Sequence, residues 1–292
     1  MTASSTHPSS EGTRLTVYDY APESTKQPVL LSHATGFHGR VFDPVAEHLH
    51  SDFHCYSFDY RGHGDSGLPQ DWKANWSGYG DDALAIARVI AAAKTSTATS
   101  IIGAGHSMGG AALVMAALRE PELFRALVLY EPIIFPPQVR VGTTNAGVPS
   151  PLAEGARRRR STFSSFDEAI TNYSSKPPLN VMRPDALHAY VIHGFRSQHD
   201  GISIKCSPEH EARTYEMGAI HETWNELPKL RVPVWLVSGE VIPHTPGAIA
   251  ALIANEIPGS TLVQWNDLGH FGPMQDPQRF AQLITQVDEA TK

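Results

Sequence analysis

A chain of 292 residues with only two cysteines, Cys55 and Cys206, has no disulfide framework to lean on. Neither cysteine has histidine or acidic neighbours at metal-ligand spacing. Cys55 lies in a strand-like apolar run, where a free thiol behaves as a small hydrophobe. No apolar run approaches the length of a membrane span, so no membrane partner is expected. The opening stretch MTASSTHPSSEGT lacks a hydrophobic signal region and is polar throughout. It predicts a disordered tail over 1–12 and a cytoplasmic location. Positive charge is also short: 23 basic against 30 acidic side chains leave a net −7 with histidine neutral. Such a balance favours solubility and gives no reason to expect nucleic acid as a partner. The one basic run, Arg157 to Arg160, is short and isolated. It predicts a solvated face of an inserted segment, with attraction of an anionic substrate as the other reading. No internal repeat is found.

What is present is ordinary globular composition, 41% apolar and 18% charged, in a length that suits one large domain or a core with an insertion. Short apolar runs alternate with helical patterns. Strands are predicted at Leu15–Tyr18, Val29–Leu31, Cys55–Phe58, Ser100–Gly103, Ala126–Tyr130, Val234–Val237 and Leu262–Trp265. Helices are predicted at Val41–His50, Tyr79–Ala93, Met108–Arg119, Pro246–Glu256 and Pro277–Ala290. Proline suits the first turn of the last two. Nearly all-apolar strands alternating with helices predict an α/β fold, a mainly parallel doubly wound sheet covered on both faces. The alternation fails between about Phe135 and Leu230. That region opens with the loop-like PPQVRVGTTNAGVPSP and continues with helical fragments and the strand-like ISIKC. The predicted division is a core over 13–135 and 231–292, with 136–230 inserted as a mostly helical lid.

Chemistry enters at SIIGAGHSMGG, where an apolar strand runs into Gly105-His106-Ser107-Met108-Gly109 and then into AALVMAAL. A G-x-S-x-G placed between strand and helix puts a serine on a sharp turn whose neighbours must lack bulk. The helix also directs its N-terminal amides at the site, where they can hold an oxyanion. Ser107 is therefore the candidate nucleophile, and it needs a histidine to take its proton. Of 15 histidines, His270 in NDLGHFGPMQDP sits in a loop at the carboxyl end of a strand, before the last helix. It is the candidate base. His33, His63 and His106 accompany other turns and read as structural. His188, His193, His199, His210 and His221 fall in the insertion and read as mostly solvated.

With these stretches assembled, the chain resembles the α/β-hydrolase family over nearly its whole length outside the insertion. The resemblance rests on GHSMGG, LLSHATGFHGRVFDPVAEHL, FDYRGHGDSG, VLYEPIIFP and GHFGPMQDP. It implies a lid after the sixth strand, where the alternation breaks. It also implies an oxyanion hole from the amides of Met108 and Thr35. Ala34 stands where the common motif has glycine, leaving Gly36 and Phe37 as alternatives to Thr35. No HGGG stretch is present, so a lipase-type hole is not implied.

The imidazole requires a carboxylate on its far side, and the family's chain order of serine, acid, histidine confines it to 107–270. Glu240 follows a strand but comes immediately after Gly239, earlier than the usual aspartate. Asp267 is three residues before His270 and would have to fold back on its own loop. Glu131 ends the apolar strand ALVLY, 24 residues after Ser107, and some members of the family place their acid after this strand. Glu131 is the first choice and Glu240 the second. Serine at the elbow argues against dehalogenase and epoxide-hydrolase chemistry, which use an aspartate there. The leading expectation is acyl transfer from an ester or lactone to water, with no metal and no organic cofactor. The alternatives are carbon–carbon bond hydrolysis of a diketone, a cofactor-free perhydrolase, and a non-catalytic small-molecule receptor. Phe37, His106, Phe135 and Trp224 are candidate substrate contacts in a pocket for a medium-sized apolar molecule. Oligomeric state is not legible.

Overall fold

The computed structural model describes residues 2–93, 100–140, 150–218, 220–243 and 245–292. Most of the loop-like stretch after Phe135, residues 141–149, lies outside these. Eleven strands are described: β1 (Ala3–Pro8), β2 (Arg14–Asp19), β3 (Gln27–Ser32), β4 (Phe53–Phe58), β5 (Ile101–His106), β6 (Phe124–Tyr130), β7 (Thr162–Phe163), β8 (Phe195–Gln198), β9 (Gly201–Ile204), β10 (Val234–Ser238) and β11 (Thr261–Gln264). The helices are α1 (Asp43–Leu49), α2 (Trp76–Ala92), α3 (Met108–Arg119), α4 (Pro137–Arg140), α5 (Pro151–Arg158), α6 (Phe166–Ser174), α7 (Pro184–Gly194), α8 (Pro208–Met217), α9 (Thr223–Glu226), α10 (Pro246–Glu256), α11 (Gly272–Gln275) and α12 (Pro277–Ala290), with short 3₁₀ turns between.

Eight strands form one sheet in the order β1-β2-β4-β3-β5-β6-β10-β11. From β4 to β11 every pairing is parallel, and only β1 and β2 run antiparallel at one edge. The strands β4 and β5 are buried along their whole length, as a parallel sheet covered on both faces demands. Two apolar layers flank the sheet. One joins it to α1 and α12 through residues such as Val45, Leu49, Phe280 and Ile284. The other joins it to α2, α3 and α10 through Leu84, Ile86, Leu113, Val114 and Ile253. Each fully buried leucine, isoleucine or phenylalanine contributes about 1.5–3 kcal/mol relative to exposure.

The register decides what gathers at the carboxyl edge. Ser32 pairs with Gly105, His106 with Tyr130, and Tyr130 with Val237. The residues that follow these strands therefore emerge side by side, along the edge where open α/β sheets bind ligands.

Two expectations are corrected. Within the tail expected over 1–12, the described residues are not free: Ala3–Pro8 pairs antiparallel with β2, and Ser10–Gly12 forms a turn. The reason is a buried charge that polarity alone did not reveal. Arg61 and Asp82 are completely buried and paired at 2.8 Å. Ser9 donates to Asp82, while the Arg61 guanidinium donates to Glu11 and Ser10. A buried ion pair needs its remaining lone pairs and protons satisfied, and the N-terminal segment does this. The run Arg157–Arg160 is the expected solvated face at three positions, each of them ion-paired, and departs from that expectation at Arg159. Arg157 pairs with Glu209 and Glu216, Arg158 with Glu154, and Arg160 with Glu168. Arg159 turns inward to Glu211 and to the hydroxyls of Tyr190 and Tyr173.

The inserted segment holds α5 to α9 and a small sheet, β7-β9-β8. Phe163, Tyr173 and Phe195 pack ring against ring, with Tyr190 against Tyr173, and these aromatics are continuous with the apolar layer that holds α1 and α12. It rests on the loops at the carboxyl edge. His38 donates through Nε2 to the Tyr190 carbonyl at 3.0 Å, and the indole of Trp76 to that of Thr214 at 2.9 Å. His210, expected to be solvated, is buried and donates to the Arg61 carbonyl at 3.1 Å.

Candidate active site

Ser107 terminates β5 and caps α3 with φ 56° and ψ −118°. A side-chain-bearing residue occupies that region only under strain, and the surroundings show what holds it there. A Cβ on Gly105 would come within 2.7 Å of the Gly110 Cα, and one on Gly109 would collide with the Ser32 carbonyl. The glycines of G-x-S-x-G are thus required by backbone closing on backbone. Ser107 is left 7% exposed at the first turn of a helix, whose amide ends favour negative charge.

His270 follows β11 and reaches back over the sheet. Its Nε2 lies 3.2 Å from the Ser107 Oγ, and its Nδ1–H donates to Glu131 Oε2 at 2.6 Å. Glu131 is 2% exposed and held at φ 43°, its backbone N–H bonded to the Val237 carbonyl. The other carboxylate oxygen, Oε1, accepts the Gly239 N–H at 2.8 Å. A charge buried this deeply needs such partners, and Glu131 has one on each oxygen. The other acids do not reach His270. Glu240 is exposed; Asp267 pairs with Arg279 at 2.9 Å. The first-choice acid, base and nucleophile are brought together, and the second-choice acid is not.

Three amides were open for the second half of an oxyanion hole. The Gly36 N–H donates to His63 Nε2 at 3.1 Å, and the Phe37 N–H to the Ala34 carbonyl at 3.1 Å. Among the described residues, the amides of Thr35 and Met108 have no hydrogen-bond partner. The loop that carries Thr35 is pinned by two neutral imidazoles. His63 donates its Nδ1–H to the Arg61 carbonyl at 3.0 Å, leaving Nε2 to accept from Gly36. His33 accepts the Tyr60 N–H at 3.0 Å and donates to the Ala34 carbonyl. Burial pushes His33 down to about 3 and His63 well below the ordinary histidine range, with repulsion from His210 and His33 adding to the second. Both therefore remain acceptors near neutrality. Their structural reading from the turns agrees with this, but their link to the loop that carries Thr35 needed the fold.

Of the candidate substrate contacts, Phe37 packs against Tyr190 and Phe271. Phe135 and Trp224 pack on the layer that contains Met108, on the other side. His106 is buried rather than facing a substrate. Its ring lies 4.8 Å from that of His270, and its Nε2–H donates to the His270 carbonyl at 2.7 Å. Sequence reasoning missed Tyr130 and Gly239, which touch this apparatus, although both stand beside residues it singled out. It also missed Glu211 of the insertion, whose carboxylate lies so close over Gly36 that a Cβ there would be 2.6 Å from Oε1.

The comparisons with known proteins agree with this architecture. A monoglyceride lipase homolog of Monkeypox virus is 30% identical over 107 residues, 36% of this chain and 38% of that protein. This chain thus spans well under half of that relative. The crystal structure of E-2-(acetamidomethylene)succinate hydrolase superposes with a TM-score of 0.80 at 21% identity, covering 99% of this chain and 100% of that one. An esterase from Exiguobacterium antarcticum superposes with a TM-score of 0.72 at 16% identity, covering 98% and 100%. At these identities the likeness is one of fold. Residues 29–283 match the model of the alpha/beta hydrolase family. That match spans the strand-bounded serine turn, the buried acid and the terminal histidine alike, and the chain belongs to the alpha/beta hydrolase family.

Proposed function

We propose that the protein is a serine hydrolase that cleaves a carboxylic ester or lactone of a small to medium apolar molecule through an acyl-enzyme. The observation that carries this reading is the continuous relay from Ser107 through His270 to Glu131, at 3.2 and 2.6 Å. In the first half-reaction Ser107 Oγ attacks the carbonyl carbon while its proton passes to His270 Nε2. The resulting oxyanion is held by the amides of Met108 and Thr35. The imidazolium is stabilised by the buried Glu131 carboxylate. His270 then gives its proton to the departing alkoxide and the carbonyl re-forms. Water enters and attacks the acyl carbon as its proton passes to His270; the second tetrahedral intermediate then collapses, His270 returns that proton to Ser107 Oγ, and the acid product departs.

Residues 136–230 serve as the lid in this reading, because Tyr190 and Glu211 lie against the loop that carries Thr35. Closing such a segment over the site excludes water and shapes the pocket. The test is labelling with a fluorophosphonate, followed by a panel of p-nitrophenyl esters of graded chain length. Ser107 should be labelled stoichiometrically, Ser107→Ala should not, and turnover should peak at one chain length. A native, folded protein that resists labelling would overturn the proposal.

A further inference from the structure

The loop bearing His270 has no helix or strand to fix it, yet the relay requires its imidazole to hold position to a few tenths of an ångström. Three consecutive carbonyls of that loop are each met by a donor from the end of a different strand. The Glu240 N–H, after β10, donates to the Leu268 carbonyl at 2.7 Å. The Tyr130 hydroxyl, at the end of β6, donates to the Gly269 carbonyl at 2.7 Å. The His106 Nε2–H, at the end of β5, donates to the His270 carbonyl at 2.7 Å.

Packing by itself asks only for an aromatic ring at 130. The ring lies against Trp265 and Phe280 in the apolar layer, where phenylalanine would serve as well. The hydroxyl is what the core does not explain, and the structure makes room for it. A Cβ on Gly239 would come within 2.8 Å of the Tyr130 oxygen, and one on Gly272 would collide with it. Tyr130 also precedes Glu131 directly, so one strand end supplies both the acid and an anchor for the residue that the acid orients. His106 immediately precedes Ser107 in the same way, and its ring backs the His270 imidazole.

We infer that Tyr130 and His106 are positioning residues, whose side chains clamp the Gly269 and His270 carbonyls and thereby hold the His270 imidazole between Ser107 and Glu131. The inference rests on the serine-hydrolase reading. Neither side chain touches the reacting atoms; both act through His270. Tyr130→Phe keeps the ring and removes one oxygen, and the Gly269 carbonyl retains the Gly272 N–H at 3.0 Å. The expected loss is therefore modest, roughly fivefold to tenfold, the value of one net hydrogen bond.

The experiment measures the second-order rate of fluorophosphonate labelling of Ser107 in wild type, Tyr130→Phe and His106→Phe, each with His270 present and with His270→Ala. The clamp predicts slower labelling of both variants when His270 is present and no further loss when it is absent. A merely structural role lowers the melting temperature or slows labelling equally in both backgrounds, and either of those without the His270-dependent loss overturns the inference. Equal rates for wild type and both variants overturn it too. Failure of wild type itself to label would instead remove the hydrolase reading, a separable result. Should one variant fail to fold, the other decides alone.

Discussion

Replacing Glu131 by glutamine changes one atom, and the structure specifies which way the new amide must face. Oε1 accepts the Gly239 N–H at 2.8 Å and Oε2 accepts the His270 Nδ1–H at 2.6 Å. The substituted side chain keeps only one oxygen. The Gly239 amide is a fixed backbone donor and cannot turn into an acceptor, so the carbonyl oxygen stays on its side. The NH₂ group is then directed at His270 Nδ1, which must lose its proton to accept. The imidazole proton moves to Nε2, where the Ser107 hydroxyl needs an acceptor. Loss of the orienting acid by this route elsewhere lowers turnover about 10⁴-fold. The charge alone is worth less: two unit charges about 4 Å apart at an effective dielectric near 20 interact by about 4 kcal/mol, roughly a thousandfold in rate. Glu131→Gln should therefore reduce kcat by about 10³–10⁴ on a p-nitrophenyl ester, with the fold and melting curve preserved. Glu240→Gln, altering an exposed carboxylate, should stay within about twofold of wild type. Stopped-flow or steady-state release of p-nitrophenolate measures both. Glu131→Gln within tenfold of wild type, with Glu240→Gln inactive, would refute the reasoning and move the acid to the other strand.

Two further predictions concern stability. Burial holds His33 at about 3, His38 and His210 at about 4, and His63 and His106 well below the ordinary 6.5. The native state then binds fewer protons than the unfolded chain as pH falls below 6.5. Stability present above that pH is lost toward 4, by at most about 1.4 kcal/mol per pH unit per histidine. Asp59, raised by burial to about 6, and Asp82, raised by the same cause, work in the opposite sense as pH falls, but they are two groups against six once His193, also lowered by burial, is counted. Urea midpoints should fall steeply from pH 7 to pH 5, and a flat profile would contradict the neutral buried imidazoles. Arg61→Met should cost about 3–5 kcal/mol by leaving buried Asp82 without its charged partner; an unchanged urea midpoint would show that the Ser9 hydroxyl and the backbone N–H of residue 61 suffice for that carboxylate.

Local chemistry made much of this molecule legible in advance. The helices Met108–Arg119, Pro246–Glu256 and Pro277–Ala290 have the bounds read from their prolines and periodicity. Each central strand lies on an apolar run, because a strand buried on both faces must be apolar at every position. Ser107 and His270 were readable because a serine elbow leaves glycines in the sequence, and a terminal histidine stands between a strand and a helix. The acid was open between Glu131 and Glu240 because both follow apolar strands, and the chain itself cannot say which carboxylate swings under the imidazole. Only tertiary packing decides that: β6 and β10 lie side by side, and the Gly239 amide of one strand end fixes the carboxylate of the other. The ordered N-terminus was illegible for the same reason, since its partners, Arg61 and Asp82, lie about 50 and 70 residues away. Which of the three candidate amides is already bonded likewise depends in part on His63, a side chain from another loop that accepts the Gly36 N–H. Residue types and their local spacing thus determined the elements and the chemistry available. Burial and register, which join distant segments, decided which groups meet.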